Sequence, residues 1–254
     1  MKDLPHPLFL GHRGAAGEAP ENTWPAFERA KAAGMHGFEM DVLLTRDGIP
    51  VGVHDLTLQR IAGGHGAIQA MSFAALSRLD VGSHFHPRFA GERIPRLEDV
   101  LDRFGKDLIL DLEIKGLSPF TEGLEEVVIK LLRERDLLDT VIISSFNPLI
   151  VKRVKTMEPR IRTGYNYISD SIKNLRRAWF APFIAPYSKH PQPRQVDAAY
   201  VERQHKKGVK VIPWGVDEPE DIQRLLALGV DGLISDFPSR LQELVKGKVV
   251  SATV

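Results

Sequence analysis

Residues 37–45 read GFEMDVLLT, a short apolar run that carries two carboxylates. Side chains alternate between the two faces of a strand, so Glu39 and Asp41 share one face. Met40 and Val42 then lie on the opposite face, where helices would cover them. We therefore expect a strand whose outer face packs under helices and whose inner face carries acids.

The rest of the chain repeats the pattern of a short β-like run followed by a helical or polar stretch. Strands that alternate with helices indicate βαβ units and a parallel sheet. Eight such units in 254 residues is the count of a (β/α)8 barrel, and barrels of ~250 residues form one domain. The sequence therefore predicts a single α/β domain, a TIM barrel over residues 1–254. The runs are residues 8–14, 37–45, 107–115, 140–146, 160–167, 183–188, 210–216 and 232–237.

Two helices carry clear terminal signals. Thr23 can cap a helix that has Pro25 in its first turn and that stops at Gly34. Residues 218–228 open with acids, place apolar residues on one face and end at a glycine. Both helices follow a predicted strand, as a barrel requires.

A long irregular segment interrupts the alternation after the second run. Residues 54–95 contain scattered glycines and one short helix candidate, residues 72–79. Loops of this length without structure are uncommon in compact domains unless they are functional. We interpret residues 56–95 as a small insertion after the second strand, over one end of the barrel. An ordinary surface excursion is the alternative.

The composition excludes several classes of function. The formal net charge of +1 gives no field for non-specific binding of nucleic acid or of an anionic membrane. The absence of cysteine excludes disulfides, thiolate zinc sites and a cysteine nucleophile. Because Pro5 and Pro7 interrupt a short N-terminal apolar run, we expect no signal peptide and a cytoplasmic protein. The sequence predicts no stable membrane association and indicates no particular oligomeric state.

Charged residues follow most of the predicted strands, where barrel enzymes place their chemistry. Glu39 and Asp41 repel each other unless a cation lies between them or one is protonated. Glu113, on the run at 107–115, would complete a set of three carboxylates. Such a set suits Mg²⁺ or Ca²⁺ rather than zinc. A network of salt bridges with Lys115 or Arg13 is the alternative.

His12 and His54 are the candidates for acid–base catalysis, because histidine titrates near neutral pH. Arg13 and Lys115 could bind an anionic phosphate, although pairing with Glu21 or Asp111 is an equally simple role. Trp214 would form either an apolar wall of the site or part of the core. The remaining histidines without a partner pattern are predicted at the surface: His65, His84, His86, His190 and His205.

Several motifs together resemble the glycerophosphodiester phosphodiesterase family. HRGAAGEAPENTWPAF and FEMDVLLTRDGIPVGVHDLTLQR are similar to the family signature. LDLEIKG, IISSF, VIPWGVD and GVDGLISDFP are similar to later family blocks, in the same order. The resemblance extends from about residue 8 to residue 240.

The resemblance implies a (β/α)8 barrel and a role for each candidate residue. It implies His12 and His54 as general acid and base. It also implies phosphate contacts from Arg13 and Lys115 and a substrate pocket lined by Trp214. Between water and the glycerol 2-hydroxyl as nucleophile, it favours the hydroxyl and a cyclic phosphate. The implied ligands of a divalent cation are Glu39, Asp41 and Glu113.

The resulting hypothesis is metal-dependent hydrolysis of a small glycerophosphodiester to sn-glycerol 3-phosphate and an alcohol. One alternative is a phospholipase D-like enzyme on lysophospholipids or sphingolipids, with Phe73, Phe85 and Phe89 lining a lipid groove. The other is a barrel that binds phosphodiesters without turnover, because a fold alone does not establish catalysis. The three candidate carboxylates and both candidate histidines are all present, which favours an enzyme.

Overall fold

Nine β-strands lie in one sheet in this computed structural model, which describes residues 3–116, 122–168 and 184–251. The sheet order is β8-β7-β6-β5-β4-β2-β1-β9, with every neighbouring pair on this path parallel, and β3 pairs with β2 in antiparallel fashion. The strands are β1 (Leu8–Gly11), β2 (Gly37–Leu44), β3 (Pro50–Gly52), β4 (Ile109–Ile114), β5 (Val141–Ser145), β6 (Arg162–Asn166), β7 (Ser188–His190), β8 (Lys210–Val211) and β9 (Gly232–Ser235).

The two ends of this sheet meet. The backbone N–H of Asp231 donates to the carbonyl of Val211 at 2.8 Å, and that of Ile234 donates to the carbonyl of Pro213 at 2.9 Å. A parallel bridge between Trp214 and Ile234 continues the contact. Eight parallel strands therefore form a nearly closed barrel, which confirms the predicted (β/α)8 fold.

Helices follow the barrel strands and cover their outer faces. Met40 and Val42 are buried among the helix residues of the largest apolar cluster, as the alternation along β2 predicted. A smaller cluster that includes Leu10, Ile142 and Ile234 joins side chains from several barrel strands. The helices are α1 (Trp24–Ala32), α2 (Gln59–Ala62), α3 (Phe73–Leu76), α4 (Leu97–Phe104), α5 (Leu124–Glu134), α6 (Pro148–Met157), α7 (Ala198–His205), α8 (Pro219–Ala227) and α9 (Pro238–Ser251).

The predicted helix ends agree with the structure for α1 and α8. Thr23 and Glu218 precede the two helices with extended backbone, and Gly34 follows α1 at a φ of 81°. The helix predicted over residues 72–79 is shorter in the structure, where α3 covers only Phe73–Leu76. No helix among the described residues is long and apolar enough to cross a membrane.

The sixth predicted run is placed too early along the chain. Residues 183–188 were expected to form the strand, whereas β7 covers Ser188–His190. Ala185 has a φ of 40°, so the chain turns there, just before Pro186, instead of extending. Phe183, the first residue of the predicted run, lies outside the described residues.

The predicted insertion after the second strand is confirmed, and it has an apolar core of its own. This core lies between the β2–β3 ribbon and the short helices α2 and α3, and the 3-10 helix Ile68–Ala70 contributes to it. Backbone hydrogen bonds also attach the segment: Arg46 N–H donates to Met71 at 2.9 Å and Gly52 N–H donates to Pro95 at 3.0 Å. The buried members of this core are Leu43, Val51, Val53, Leu58, Ile61, Ile68, Leu76, Val81 and Ile94.

Candidate active site

A cavity of about 220 Å³ opens where the carboxyl ends of the barrel strands converge. This is the end at which barrel enzymes carry their active sites, because the loops after the strands meet there. One side of the cavity is strongly charged and the other is neutral or apolar. Its lining consists of His12, Arg13, Glu39, His54, Asp111, Glu113, Lys115, Phe146, Asn166, Ile168, His190, Trp214 and Ile234.

Three carboxylates lie together beside this cavity. Glu39 and Asp41 are on β2, and Glu113 on β4 is paired in register with Asp41. One carboxylate oxygen from each lies within 4.8 Å of the others, and all three residues are buried. Burial and the neighbouring charges of Asp41 and Glu113 raise the pKa of Glu39 well above its usual range. This group of oxygen ligands could hold a metal ion.

Two cationic side chains also contact the carboxylates. Lys115 Nζ lies 2.8 Å from Asp41 Oδ1 and contacts Glu113, and Arg13 Nε lies 3.4 Å from Asp41 Oδ2. Burial alone would raise the pKa of Asp41, but the positive charges of Lys115 and Arg13 outweigh it and lower that pKa. The predicted carboxylate cluster and the predicted salt-bridge network are therefore the same group of residues.

The loop after β1 places Arg13 by a tight turn. Arg13 has a φ of 49° and Gly14 a φ of 85°, so both adopt the left-handed conformation. A Cβ atom at Gly11 would lie 1.7 Å from the carbonyl oxygen of Gly14, so only glycine allows the turn to fold back over the strand. In this turn the backbone N–H of Arg13 donates to Glu39 Oε2 at 2.8 Å.

Both candidate catalytic histidines are oriented by a carboxylate. His12 Nδ1 lies 2.6 Å from Asp236 Oδ1, and His54 Nδ1 lies 2.7 Å from Asp55 Oδ1. Because an ionised carboxylate only accepts hydrogen bonds, each Nδ1 is the protonated nitrogen. In the neutral ring, Nε2 is then a proton acceptor, and His12 Nε2 lies 3.8 Å from Glu39 Oε2. Both rings line the cavity.

The carboxylate partners of the histidines remain ionised. Burial would raise the pKa of Asp55, but hydrogen bonds from Arg60 and His54 lower it to about 2. The hydrogen bond from His12 likewise lowers the pKa of Asp236 against the effect of burial. Sequence reasoning did not assign a role to either residue, although Asp55 follows His54 directly and Asp236 ends a predicted strand.

The neutral side of the cavity holds Trp214, which therefore lines the site. Its ring lies 5.9 Å from the His12 ring and 5.8 Å from Phe146, measured between ring centroids. Asn166 was missed by sequence reasoning because nothing near it in the sequence marks it. Its Nδ2 donates to Glu113 Oε2 at 2.9 Å, so Asn166 fixes the orientation of one member of the carboxylate group.

The surface location predicted for His190 is wrong. His190 is 1% exposed, its Nε2 lies 2.8 Å from Ser188 Oγ, and burial lowers its pKa to about 3. Gly164 on the neighbouring strand makes room for the ring, because a Cβ atom there would lie 2.6 Å from His190 Cε1. The other four histidines predicted at the surface are exposed: His65, His84, His86 and His205.

The protein is thus an α/β barrel with three buried carboxylates and two carboxylate-bound histidines at the end where barrel enzymes carry their active sites. The family model described as the glycerophosphoryl diester phosphodiesterase family matches residues 12–240. The chain belongs to this family, whose members hydrolyse glycerophosphodiesters, and it is therefore an enzyme. The resemblance stated from the sequence motifs is confirmed.

Individual relatives agree with this assignment. A glycerophosphodiester phosphodiesterase of Caldanaerobacter subterraneus is 40% identical over 94% of this chain and 98% of its own length. The structure of an Oleispira antarctica phosphodiesterase in complex with the product sn-glycerol-3-phosphate is 30% identical, with a TM-score of 0.81 over 95% of this chain and 97% of that one. A glycerophosphodiester phosphodiesterase from Agrobacterium tumefaciens is 25% identical, with a TM-score of 0.79 over 93% and 99% of the two chains.

Proposed function

We propose that this enzyme hydrolyses a small glycerophosphodiester to sn-glycerol 3-phosphate and an alcohol, with a divalent cation and two histidines. The observation that carries the proposal is that three buried carboxylates and two carboxylate-bound histidines lie at one cavity. The Oleispira antarctica relative, whose structure holds sn-glycerol-3-phosphate as product, supports the choice of substrate.

The chemistry of the three carboxylates fits a hard cation. Glu39 Oε1 is buried and accepts no hydrogen bond from any of the described residues, although a carboxylate oxygen needs a partner away from water. Oxygen ligands of this kind suit Mg²⁺ and Ca²⁺. We therefore assign Glu39, Asp41 and Glu113 as the ligands. When bound, such a cation would polarise a phosphoryl oxygen and stabilise the charge that develops there.

The protein's own residues supply the remaining chemistry. His12 and His54 serve as general acid and base, with one Nε2 taking a proton from the nucleophile and the other protonating the leaving alkoxide. Arg13 and Lys115 add fixed positive charge for the phosphate. Trp214 lines the substrate pocket with Phe146. Of the two nucleophiles, the glycerol 2-hydroxyl is favoured over water by the motif resemblance, and a trapped cyclic phosphate is its diagnostic product.

We also propose that residues 1–254 form one domain and that the enzyme acts in the cytoplasm on a small molecule. A net charge of +1 supports neither nucleic acid binding nor stable association with an anionic membrane. On this view the insertion shapes the active site and does not dock on lipid.

The metal-free enzyme should respond to Glu39→Gln with a gain in stability. The folded-state pKa of Glu39 is raised above its unfolded value. Protonated Glu39 therefore contributes its full share of folding stability below pH ~4.5, and this share is lost as the pH rises through the folded pKa. At high pH the buried carboxylate is thus a penalty on the folded state. At pH 8 in EDTA, the neutral glutamine removes this penalty. We therefore expect the Tm of Glu39→Gln in EDTA to lie above that of the wild type.

The matched control is Glu125→Gln. Glu125 is equally buried, but Arg153 contacts it at 2.6 Å, so this variant should melt below the wild type. A lower Tm for Glu39→Gln in EDTA would show that Glu39 is stabilised by the protein without a cation, against the metal assignment.

The choice of substrate is tested by comparing a water-soluble diester with a lysolipid. We expect glycerophosphocholine to release sn-glycerol 3-phosphate with a kcat/KM at least ~10-fold above that for hydrolysis of lysophosphatidylcholine. The comparison is made in the same buffer, with the released headgroup and glycerol 3-phosphate both quantified. Preference for the lysolipid would instead support the phospholipase D-like reading.

A further inference from the structure

Arg60 contacts two carboxylates at once. It lies on α2, within the insertion. Its Nη1 and Nη2 donate to Glu21 at 2.8 and 2.6 Å, and its Nε and Nη2 donate to Asp55 at 2.7 and 3.1 Å. A planar guanidinium can hold both carboxylates in fixed positions, which a lysine ammonium cannot do.

Each of these carboxylates contacts a residue of the active site. Asp55 Oδ1 lies 2.7 Å from His54 Nδ1, so it orients the imidazole. Glu21 Oε1 accepts from Arg13 Nη1 at 3.1 Å, and Arg13 Nε in turn lies 3.4 Å from Asp41 Oδ2. Arg60 is therefore linked through one carboxylate to His54, a candidate acid–base group, and through the other to Arg13, a candidate phosphate-binding residue.

We propose that Arg60 is a positioning residue that holds His54 and Arg13 in their working orientations through Asp55 and Glu21. The inference rests on the proposed function, because it assigns Arg60 a role in that reaction. Displacement of a reacting group by about 1 Å can cost 10²-fold in rate, so a rigid link of this kind has a measurable effect on turnover.

Anchoring of the insertion is the simpler role for Arg60, but the segment is already attached by other contacts. Its apolar core includes Leu43 and Val51 from the β2–β3 ribbon. Backbone hydrogen bonds from Arg46 and Gly52 reach Met71 and Pro95 across the segment. Arg60 is partly exposed, with 46% of its side chain accessible, so its ion pairs add little to stability alone.

The first test removes the link in two backgrounds. Arg60→Met should lower kcat for glycerophosphocholine by ~10-fold to 10²-fold. In a His54→Ala background the same substitution should lower kcat by clearly less than in the wild type, since the imidazole is gone and only the arm through Glu21 and Arg13 remains. Arg60→Lys, which keeps the charge, should keep the wild-type Tm but not the wild-type kcat. Arg78→Met is the control, because Arg78 is an exposed arginine of the same insertion.

The second test separates the two arms of the link. Asp55→Asn should lower kcat with little change in the affinity for inorganic phosphate, because Asp55 acts on His54. Glu21→Gln should weaken phosphate binding several-fold with a smaller change in kcat, because it acts on Arg13. Arg60→Met should show both effects. Phosphate affinity is measured by calorimetry with Mg²⁺ present and does not require turnover.

Three results would overturn the inference. Arg60→Met could lower only the Tm and leave kcat and phosphate affinity unchanged. It could cost as much in the His54→Ala background as in the wild type, as an independent structural effect would. Arg60→Lys could also restore full turnover. A wild-type enzyme that binds phosphate but hydrolyses no glycerophosphodiester contradicts the proposed function alone. The effect of Arg60→Met on phosphate affinity then still tests the role of Arg60.

Discussion

Replacing His12 or His54 with alanine is expected to lower kcat by at least ~10²-fold while the barrel stays folded. Each ring lines the cavity with Nδ1 bound to a carboxylate, so each has its Nε2 for proton transfer. Removing one imidazole leaves either the nucleophile or the leaving alkoxide without its proton partner. The measurement is the steady-state rate of glycerol 3-phosphate release, with a thermal melt to confirm folding.

The control for these variants is His65→Ala, since His65 is an exposed histidine of the insertion. Its turnover should equal that of the wild type. A His12 or His54 variant with near-normal kcat would exclude that histidine as an acid or base.

Neutralising a carboxylate of the proposed metal site is expected to have a still larger effect. Asp41→Asn or Glu113→Gln should lower kcat by at least ~10³-fold, equivalent to about 4 kcal/mol of lost transition-state stabilisation. The reason is that each variant removes one of three proposed ligands from the only group of this kind found among the described residues. The rate is measured over a range of Mg²⁺ and Ca²⁺ concentrations.

Cation binding can be followed separately from turnover. A cation that binds only the folded protein raises the Tm as its concentration increases. The wild type should show this rise, and Asp41→Asn should not. Asp107→Asn is the control, because Asp107 is an exposed carboxylate that precedes β4, whereas the site lies at the carboxyl end of the strands, and it should behave as the wild type. An equal response in Asp41→Asn would place the cation elsewhere.

The barrel and the placement of most residues of the candidate site could be predicted because both depend on local pattern. The alternation along β2 alone places Glu39 and Asp41 inside, and the parallel register then brings Glu113 beside Asp41. His12 and Trp214 lie at the ends of predicted strands, and strand ends converge in a barrel. Assigning the strands one by one is therefore enough to predict that these residues lie together at the carboxyl end of the barrel.

Contacts between side chains on different loops could not be predicted in the same way. His12 and Asp236 are 224 positions apart, and their contact depends on the pairing of β1, near the start of the chain, with β9, near its end. The burial of His190 requires space that Gly164 on the neighbouring strand leaves, and its neighbours in sequence do not reveal that contact. The link through Arg60 depends on how the insertion folds, which no periodicity in residues 56–95 reveals.

The most direct test of the proposed chemistry is the release of glycerol 3-phosphate from glycerophosphocholine and glycerophosphoethanolamine before and after EDTA treatment. We expect release that falls to background in EDTA and returns when Mg²⁺ or Ca²⁺ is restored. The Asp41→Asn variant should stay at background in all three conditions. Undiminished release in EDTA, or no release with either cation, would contradict metal-dependent hydrolysis at the cluster of Glu39, Asp41 and Glu113.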